Sequence, residues 1–183
     1  MGYFYAGLTR SLKPSIMTHL QMALYNIDYS HCYVRIPTLA TGMGTDTCYH
    51  STGSAGTHPT TMARALRGRV VVREWRIPTD GTNDEMLAWA LDHIMGYGTL
   101  QMLGTGVAHA LRPLLKLKRN PFADEKEEHC SMCQFRFIAH WASKITHPCT
   151  VHPSLVAPAD MERFLAANFE PWHALIKNPP RET

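Results

Sequence analysis

Residues 127–145 read EEHCSMCQFRFIAHWASKI, and this stretch decides the kind of fold that the chain adopts. Its apolar side chains recur at spacings of three and four, the pattern of an amphipathic helix. They are Phe135, Ile138, Trp141, Ala142 and Ile145. The pattern predicts a helix over 131–145 that packs one face against a hydrophobic core. Cys130 comes directly before it, so we expect this thiol at a helix N-terminus.

The segments before this helix favour β-strands. HCYVRIP (31–37) and TCYHS (47–51) are short and rich in β-forming residues, and Pro37 closes the first of them. The clearest strand, Val70 to Ile77, lies within 65–78. These segments predict a sheet on which the helix over 131–145 can pack.

Other segments have a helical period. Residues 15–26, 84–96 and 159–169 each carry an apolar face or a capping signal, and a further helix is expected near Gly106. The order of one helix, several strands and then helices predicts an α+β fold rather than alternating strands and helices. A chain of 183 residues suits one domain, which we expect to span 1–183.

Composition restricts the partners and the compartment. The net charge is only +3, and KLKR at 116–119 is the one basic cluster, which argues against a nucleic-acid partner. Five cysteines cannot all pair internally, and free thiols favour a reducing compartment. The sequence has no apolar run long enough to cross a membrane and no signal-peptide pattern at its start. We therefore expect a cytoplasmic protein, or a virion or tail component if a phage encodes it.

One interpretation of the cysteines is a zinc site. Cys130 and Cys133 form one pair with two residues between them, and Cys149 and His152 form a second. Four such ligands in two pairs match a tetrahedral structural zinc. Against this, Cys130 and Cys133 lead into a long helix rather than a knuckle turn.

The other interpretation is a nucleophile. A thiol at a helix N-terminus gains stabilisation of its thiolate, and the N–H groups of Cys130 and Ser131 are candidate oxyanion donors. His31, at the start of a strand, is the candidate base, and His50 on the next strand is placed to hold its other nitrogen. Buried structural cysteine and hydrogen-bonded structural histidine remain the ordinary alternatives.

Five segments resemble, in order, the motifs of the permuted papain-like hydrolases. This YiiX-like branch of the NlpC superfamily is related to lecithin retinol acyltransferase, and in it the histidine precedes the cysteine. The resemblance runs from about residue 11 to about residue 168. The segments are YSHCYVRI (29–36), CYHSTGSAG (48–56), GYGTLQMLG (96–104), HCSMCQFRFIAHW (129–141) and VAPADMERF (156–164).

The resemblance implies a permuted papain-like fold with Cys130 as nucleophile, His31 as base and His50 as the orienting residue. It implies no cofactor or metal, and a peptide, peptidoglycan or acyl-ester substrate that is hydrolysed or transferred. Met132 stands where the family often has Glu, and the interval from His31 to His50 is longer than in the acyltransferases. The third position therefore stays open to three substitutes, which are Asp46, His58 and His129. A non-catalytic phage-tail or virion component on the same scaffold is the alternative function.

Overall fold

The computed structural model describes residues 2–37, 46–53, 55–98, 102, 104–105, 119–120, 124 and 126–172. Its strands are β1 Gly2–Ser11, β2 His31–Ile36, β3 Thr47–Thr52, β4 Gly56–Thr61, β5 Arg69–Thr79, β6 Gly96–Tyr97 and β7 Glu127–Glu128. Its helices are α1 Ile16–Tyr25, α2 Met62–Ala65, α3 Asn83–Asp92, α4 Cys130–Trp141 and α5 Pro158–Asn168, with a short 3-10 turn at Pro153–Leu155.

Five strands form one antiparallel sheet in the order β4-β3-β2-β1-β5. The two edge strands each contain a proline, Pro59 in β4 and Pro78 in β5. An edge strand tolerates a proline because one side of its backbone needs no ladder hydrogen bond. Strands β6 and β7 form a separate two-stranded parallel pair. The architecture is α+β, as the order of the predicted elements indicates.

Helix α4 lies against the sheet and closes the main core. Phe137 and Ile138 are fully buried in it, together with Phe4 and Leu8 from β1. Gln134 on the same helix is also buried, and its Nε2 donates to the backbone oxygens of Gly7 at 3.1 Å and Tyr33 at 2.7 Å. These bonds fix the helix to β1 and β2 one turn after Cys130.

Strand β1 lies where no strand is predicted from the sequence, although it is central to the sheet. Its glycines lower its strand propensity. The structure explains one of them, because a Cβ on Gly7 would lie 2.2 Å from the Tyr33 ring on the neighbouring strand. Gly7 therefore makes room for an aromatic side chain that crosses its backbone.

The predicted helix boundaries need correction. The helix expected over 84–96 ends at Asp92, where the His93 N–H and ring both bond to the Trp89 carbonyl oxygen. Helix α4 begins at Cys130 and ends at Trp141, because Ala142 is extended. Its fully buried face includes Phe137 and Ile138, whereas Phe135 of the predicted stripe is only half-buried.

The remaining predicted elements divide into two groups. The segments expected as strands over 31–37, 47–51 and Val70 to Ile77 correspond to β2, β3 and β5, and the outer helices to α1 and α5. The helix expected near Gly106 falls outside the described residues. Within the described part of the chain, no helix is long and apolar enough to span a membrane.

Candidate active site

The site lies at one end of the five-stranded sheet, where three chain segments converge. Strand β2 pairs with β3 through Val34–Ile36 against Thr47–Tyr49. His31 precedes this paired stretch and His50 follows it, so antiparallel geometry brings both to the same end of the sheet. Cys130, the first residue of α4, packs on this end and lines a cavity together with His31.

The two histidines are directly linked. Nε2 of His31 lies 3.0 Å from Nδ1 of His50, and both side chains are buried. Burial, together with the nearby His31, His58 and Arg69, lowers the pKa of His50 to about 3. His50 is therefore neutral at physiological pH, and its Nδ1 can accept a hydrogen bond from His31. This arrangement leaves Nδ1 of His31 for a second partner.

Cys130 lines the same cavity as His31, and His31 helps to lower the pKa of its thiol. A hydrogen bond from Cys32 holds the pKa of the Cys130 thiol well below its ordinary value. The hydrogen bond and the charge of His31 lower this pKa further, whereas burial raises it. Cys32 shows the opposite shift, because burial and its bond to Cys130 raise the pKa of its own thiol. The pKa values of these two neighbouring thiols are thus shifted in opposite directions.

The first turn of α4 is arranged around this thiol. His129 is the N-cap, and its Nδ1 accepts a bond from the Met132 N–H at 3.4 Å. Burial lowers the pKa of His129, so the ring is available in the neutral form that accepts this bond. Cys130 thus occupies the first helical position, where the helix dipole favours a negative charge.

The same turn supplies hydrogen-bond donors. The N–H groups of Cys130 and Ser131 belong to the first turn of α4, where no intrahelical acceptor exists. A substrate carbonyl attacked by Cys130 would develop its negative charge near such groups. The Ser131 hydroxyl lies 3.9 Å from the Cys32 sulfur, which ties this turn to β2.

A cavity of about 340 Å³ opens beside the cysteine and the histidine. Its described lining is mostly polar: it includes Ser11, Thr18, Ser30 and Thr52. The Tyr97 hydroxyl bonds to the Met102 sulfur at 3.2 Å on one side of this space. Cys130 is one of the residues that line this cavity, although it is only 6% exposed.

The substitutes for the orienting position lie elsewhere. Asp46 forms an ion pair with Arg35 at 2.7 Å, in a network that also includes Glu74. The His58 ring lies tilted beside His50, with ring centroids 5.2 Å apart, and its Nδ1 lies 3.1 Å from the Gly56 carbonyl oxygen. His129 caps α4. Of the four residues considered for the orienting position, His50 is the one that is hydrogen-bonded to His31.

The four ligands of the zinc hypothesis do not assemble. Within the described residues, which include all four, no group of three or more histidine, cysteine or acidic side chains is arranged to hold a metal ion. Cys133 is buried in the core, Cys149 lies 3.8 Å from the Val151 carbonyl oxygen, and the His152 ring bonds to Ser154 at 2.9 Å. The spacing that predicts zinc is therefore not accompanied by convergence of the four side chains among the described residues.

Sequence reasoning missed two residues that shape the site. The sequence predicts for Cys32 only the role of a small apolar filler, like Cys48 and Cys133, yet Cys32 lies beside the first turn of α4 and helps to lower the pKa of Cys130. It does not single out Gln134, although this side chain fixes α4 to the sheet. A polar side chain one helical turn after Cys130, on the side that packs against the sheet, is the signal that points to Gln134. No comparable sequence signal distinguishes Cys32 from its neighbours.

Comparison with known proteins adds no assignment. A scan against models of protein families matched none of them, and a search of curated proteins found no significant match. The functional assignment therefore depends on the geometry of Cys130, His31 and His50.

Proposed function

We propose that the protein is a cysteine hydrolase that forms an acyl-enzyme on Cys130. The observation that carries the proposal is the hydrogen bond between His31 and His50 beside a thiol whose pKa is lowered at the start of a helix. A structural cysteine in an apolar core would have its pKa raised by burial, as Cys48 and Cys133 do. The pKa of Cys130 is lowered whereas the pKa values of the buried Cys48 and Cys133 are raised, and this difference favours a reactive role for Cys130.

The chemistry follows from the positions of the three side chains. The Cys130 thiolate attacks a substrate carbonyl, and the bond between that carbon and its leaving group breaks after a tetrahedral intermediate. The His31 imidazolium gives its proton to the leaving amine or alcohol, and neutral His31 then activates water to release the acyl group. His50 orients His31 and supports its charged form by accepting from Nε2.

We propose further that the architecture is that of a permuted papain-like hydrolase. In this arrangement the histidine strand precedes the cysteine helix along the chain, as β2 precedes α4 here. The α+β architecture and a nucleophile at the first position of a helix packed on an antiparallel sheet are consistent with it. A peptide or peptidoglycan-type amide is the proposed substrate, and an acyl ester or a transfer to another acceptor is the related possibility within the same chemistry.

Trapping of the acyl-enzyme tests the proposal. Native protein is mixed with p-nitrophenyl acetate at pH 7 and quenched in acid, and the adduct is located by peptide mass spectrometry. We expect one acetyl group on Cys130 within the burst phase. Cys130→Ser should abolish the burst, and the matched variant Cys133→Ser should retain it. An adduct spread evenly over accessible nucleophiles, or none on Cys130, would overturn the proposal and favour a non-catalytic binding or structural protein.

A further inference from the structure

The cavity beside Cys130 contains two positive charges. Arg69 is the first residue of β5, and it pairs with Ser11 at the end of β1. Lys13 follows two residues after Ser11, so both cations reach the same end of the sheet as His31, which pairs with Thr9. Both line the cavity that also contains His31 and Cys130.

These charges are not neutralised locally. The described lining of the cavity contains Lys13 and Arg69 but no aspartate or glutamate. Among the described residues, the carboxylates that form ion pairs are taken by other arginines, such as Arg35 and Arg136. The thiolate proposed for Cys130 offsets at most one of these two cations, so the described lining of the cavity stays net positive.

The position of Arg69 is built into the backbone. Gly68 before it has a positive φ of 69°, and its carbonyl oxygen accepts from the Leu12 N–H at 2.8 Å. The Arg69 N–H donates to the Leu66 carbonyl oxygen at 2.9 Å. This turn places the arginine at the cavity, and its charge reaches far enough to help lower the pKa of His50.

From the cationic lining we infer that the preferred substrate carries a carboxylate or another anionic group near the scissile carbonyl, bound by Arg69 and Lys13. The inference rests on the proposed function, because it assigns the substrate class of the same site. Arg69 is the specificity-determining residue, since its backbone is fixed by the turn, and Lys13 adds a second, more exposed charge. The serine and threonine hydroxyls of the lining supply further donors to an anion.

The test uses two alkylating reagents that differ mainly in charge. Iodoacetate is anionic and iodoacetamide is neutral, and both react with the same Cys130 thiolate. The ratio of their rate constants therefore cancels any change in thiol pKa between variants. Rates are measured at pH 7 in about 10 mM salt, site-resolved by mass spectrometry, and the ratio is divided by that of N-acetylcysteinamide, a neutral reference thiol.

For the native protein we expect a normalised ratio of the iodoacetate to the iodoacetamide rate constant of about fivefold. An attraction of this size is typical of unit charges that lie a few ångströms to a nanometre apart at a protein surface. Arg69→Gln should reduce the ratio to below about twofold, and adding Lys13→Gln should bring it near one. Arg67→Gln is the matched control, since Arg67 lies in the same turn, is exposed and does not line the cavity. Raising the salt to about 0.5 M should reduce the native ratio without any substitution.

A native ratio near one, or an equal loss in Arg67→Gln and Arg69→Gln, would overturn the inference. If a variant fails to fold, the native protein alone still decides, because a ratio that does not fall with added salt would also overturn the inference. The iodoacetamide rate alone reports on the proposed function. If Cys130 reacts no faster than the reference thiol at pH 6 while the ratio stays raised, the hydrolase proposal fails and the cationic pocket stands.

Discussion

Replacing His31 with alanine should raise the pKa of the Cys130 thiol. A hydrogen bond and the positive charge of His31 both contribute to the lowered pKa of this thiol. A hydrogen bond to a charged group contributes about 1.5–3 kcal/mol, and one pKa unit corresponds to about 1.4 kcal/mol. We therefore expect the Cys130 pKa to rise by about 1 to 2 units in His31→Ala.

The assay is the rate of iodoacetamide labelling of Cys130 from pH 5 to pH 9, resolved from the other cysteines by mass spectrometry. Where the pH lies below the native pKa, the variant should react about 10- to 100-fold more slowly, and the two rates should approach each other towards pH 9. This convergence separates a lost thiolate from a blocked path to the sulfur, which would slow the reaction equally at every pH.

His58→Ala is the matched control. His58 lies beside His50 but has no hydrogen bond to His31 among the described residues. Its removal should therefore shift the pH profile of Cys130 labelling by less than about 0.3 pKa units. Thermal unfolding of each variant verifies that it is folded. Identical pH profiles for the native protein and His31→Ala would refute the reasoning, because no thiolate–imidazole pair would then exist.

Three single contacts lead to further predictions. Cys32→Ala removes the donor that contributes most to the lowered Cys130 pKa, so the labelling profile should move upward by about 1 unit; an unchanged profile would exclude this donor. Gly7→Ala should lower the unfolding free energy by about 1–3 kcal/mol in urea titrations, because its Cβ would collide with the Tyr33 ring; no loss would contradict that packing. Because the pKa of His50 is lowered in the folded state, its contribution to the unfolding free energy is present above pH 6.5 and is lost as the pH falls towards 3. From pH 6.5 to 5 the unfolding free energy of the native protein should therefore fall by up to about 2 kcal/mol more than that of His50→Gln. Parallel curves of unfolding free energy against pH would exclude this contribution.

The sequence predicts the site better than it predicts the sheet. His31 and His50 begin and end neighbouring strands, and antiparallel pairing brings such positions together whatever the rest of the fold. Cys130 precedes an apolar period that can only be a helix, so its place at an N-terminus also follows from local pattern. These expectations depend on short-range rules, which a single sequence carries well.

The parts that escape prediction depend on tertiary contacts. Strand β1 contains two glycines, and the reason for Gly7 becomes visible only when Tyr33 crosses it from another strand. The interaction of Cys32 with the first turn of α4 joins residues that are far apart in the chain, and nothing near Cys32 in the sequence marks it as different from Cys48. The four-residue zinc pattern has the same weakness, because spacing along the chain does not fix distance in space, and among the described residues the four side chains do not form a metal-holding group.

The ultraviolet absorbance of the thiolate near 240 nm tests the central claim most directly. The difference between native protein and Cys130→Ser, recorded from pH 4 to pH 10, isolates this one thiol from the other four cysteines. The account predicts that the thiolate signal titrates well below the ordinary thiol pKa of about 8.5. A difference signal that appears only above pH 8.5 would mean that Cys130 is an ordinary buried thiol, and the acyl-enzyme proposal would be wrong.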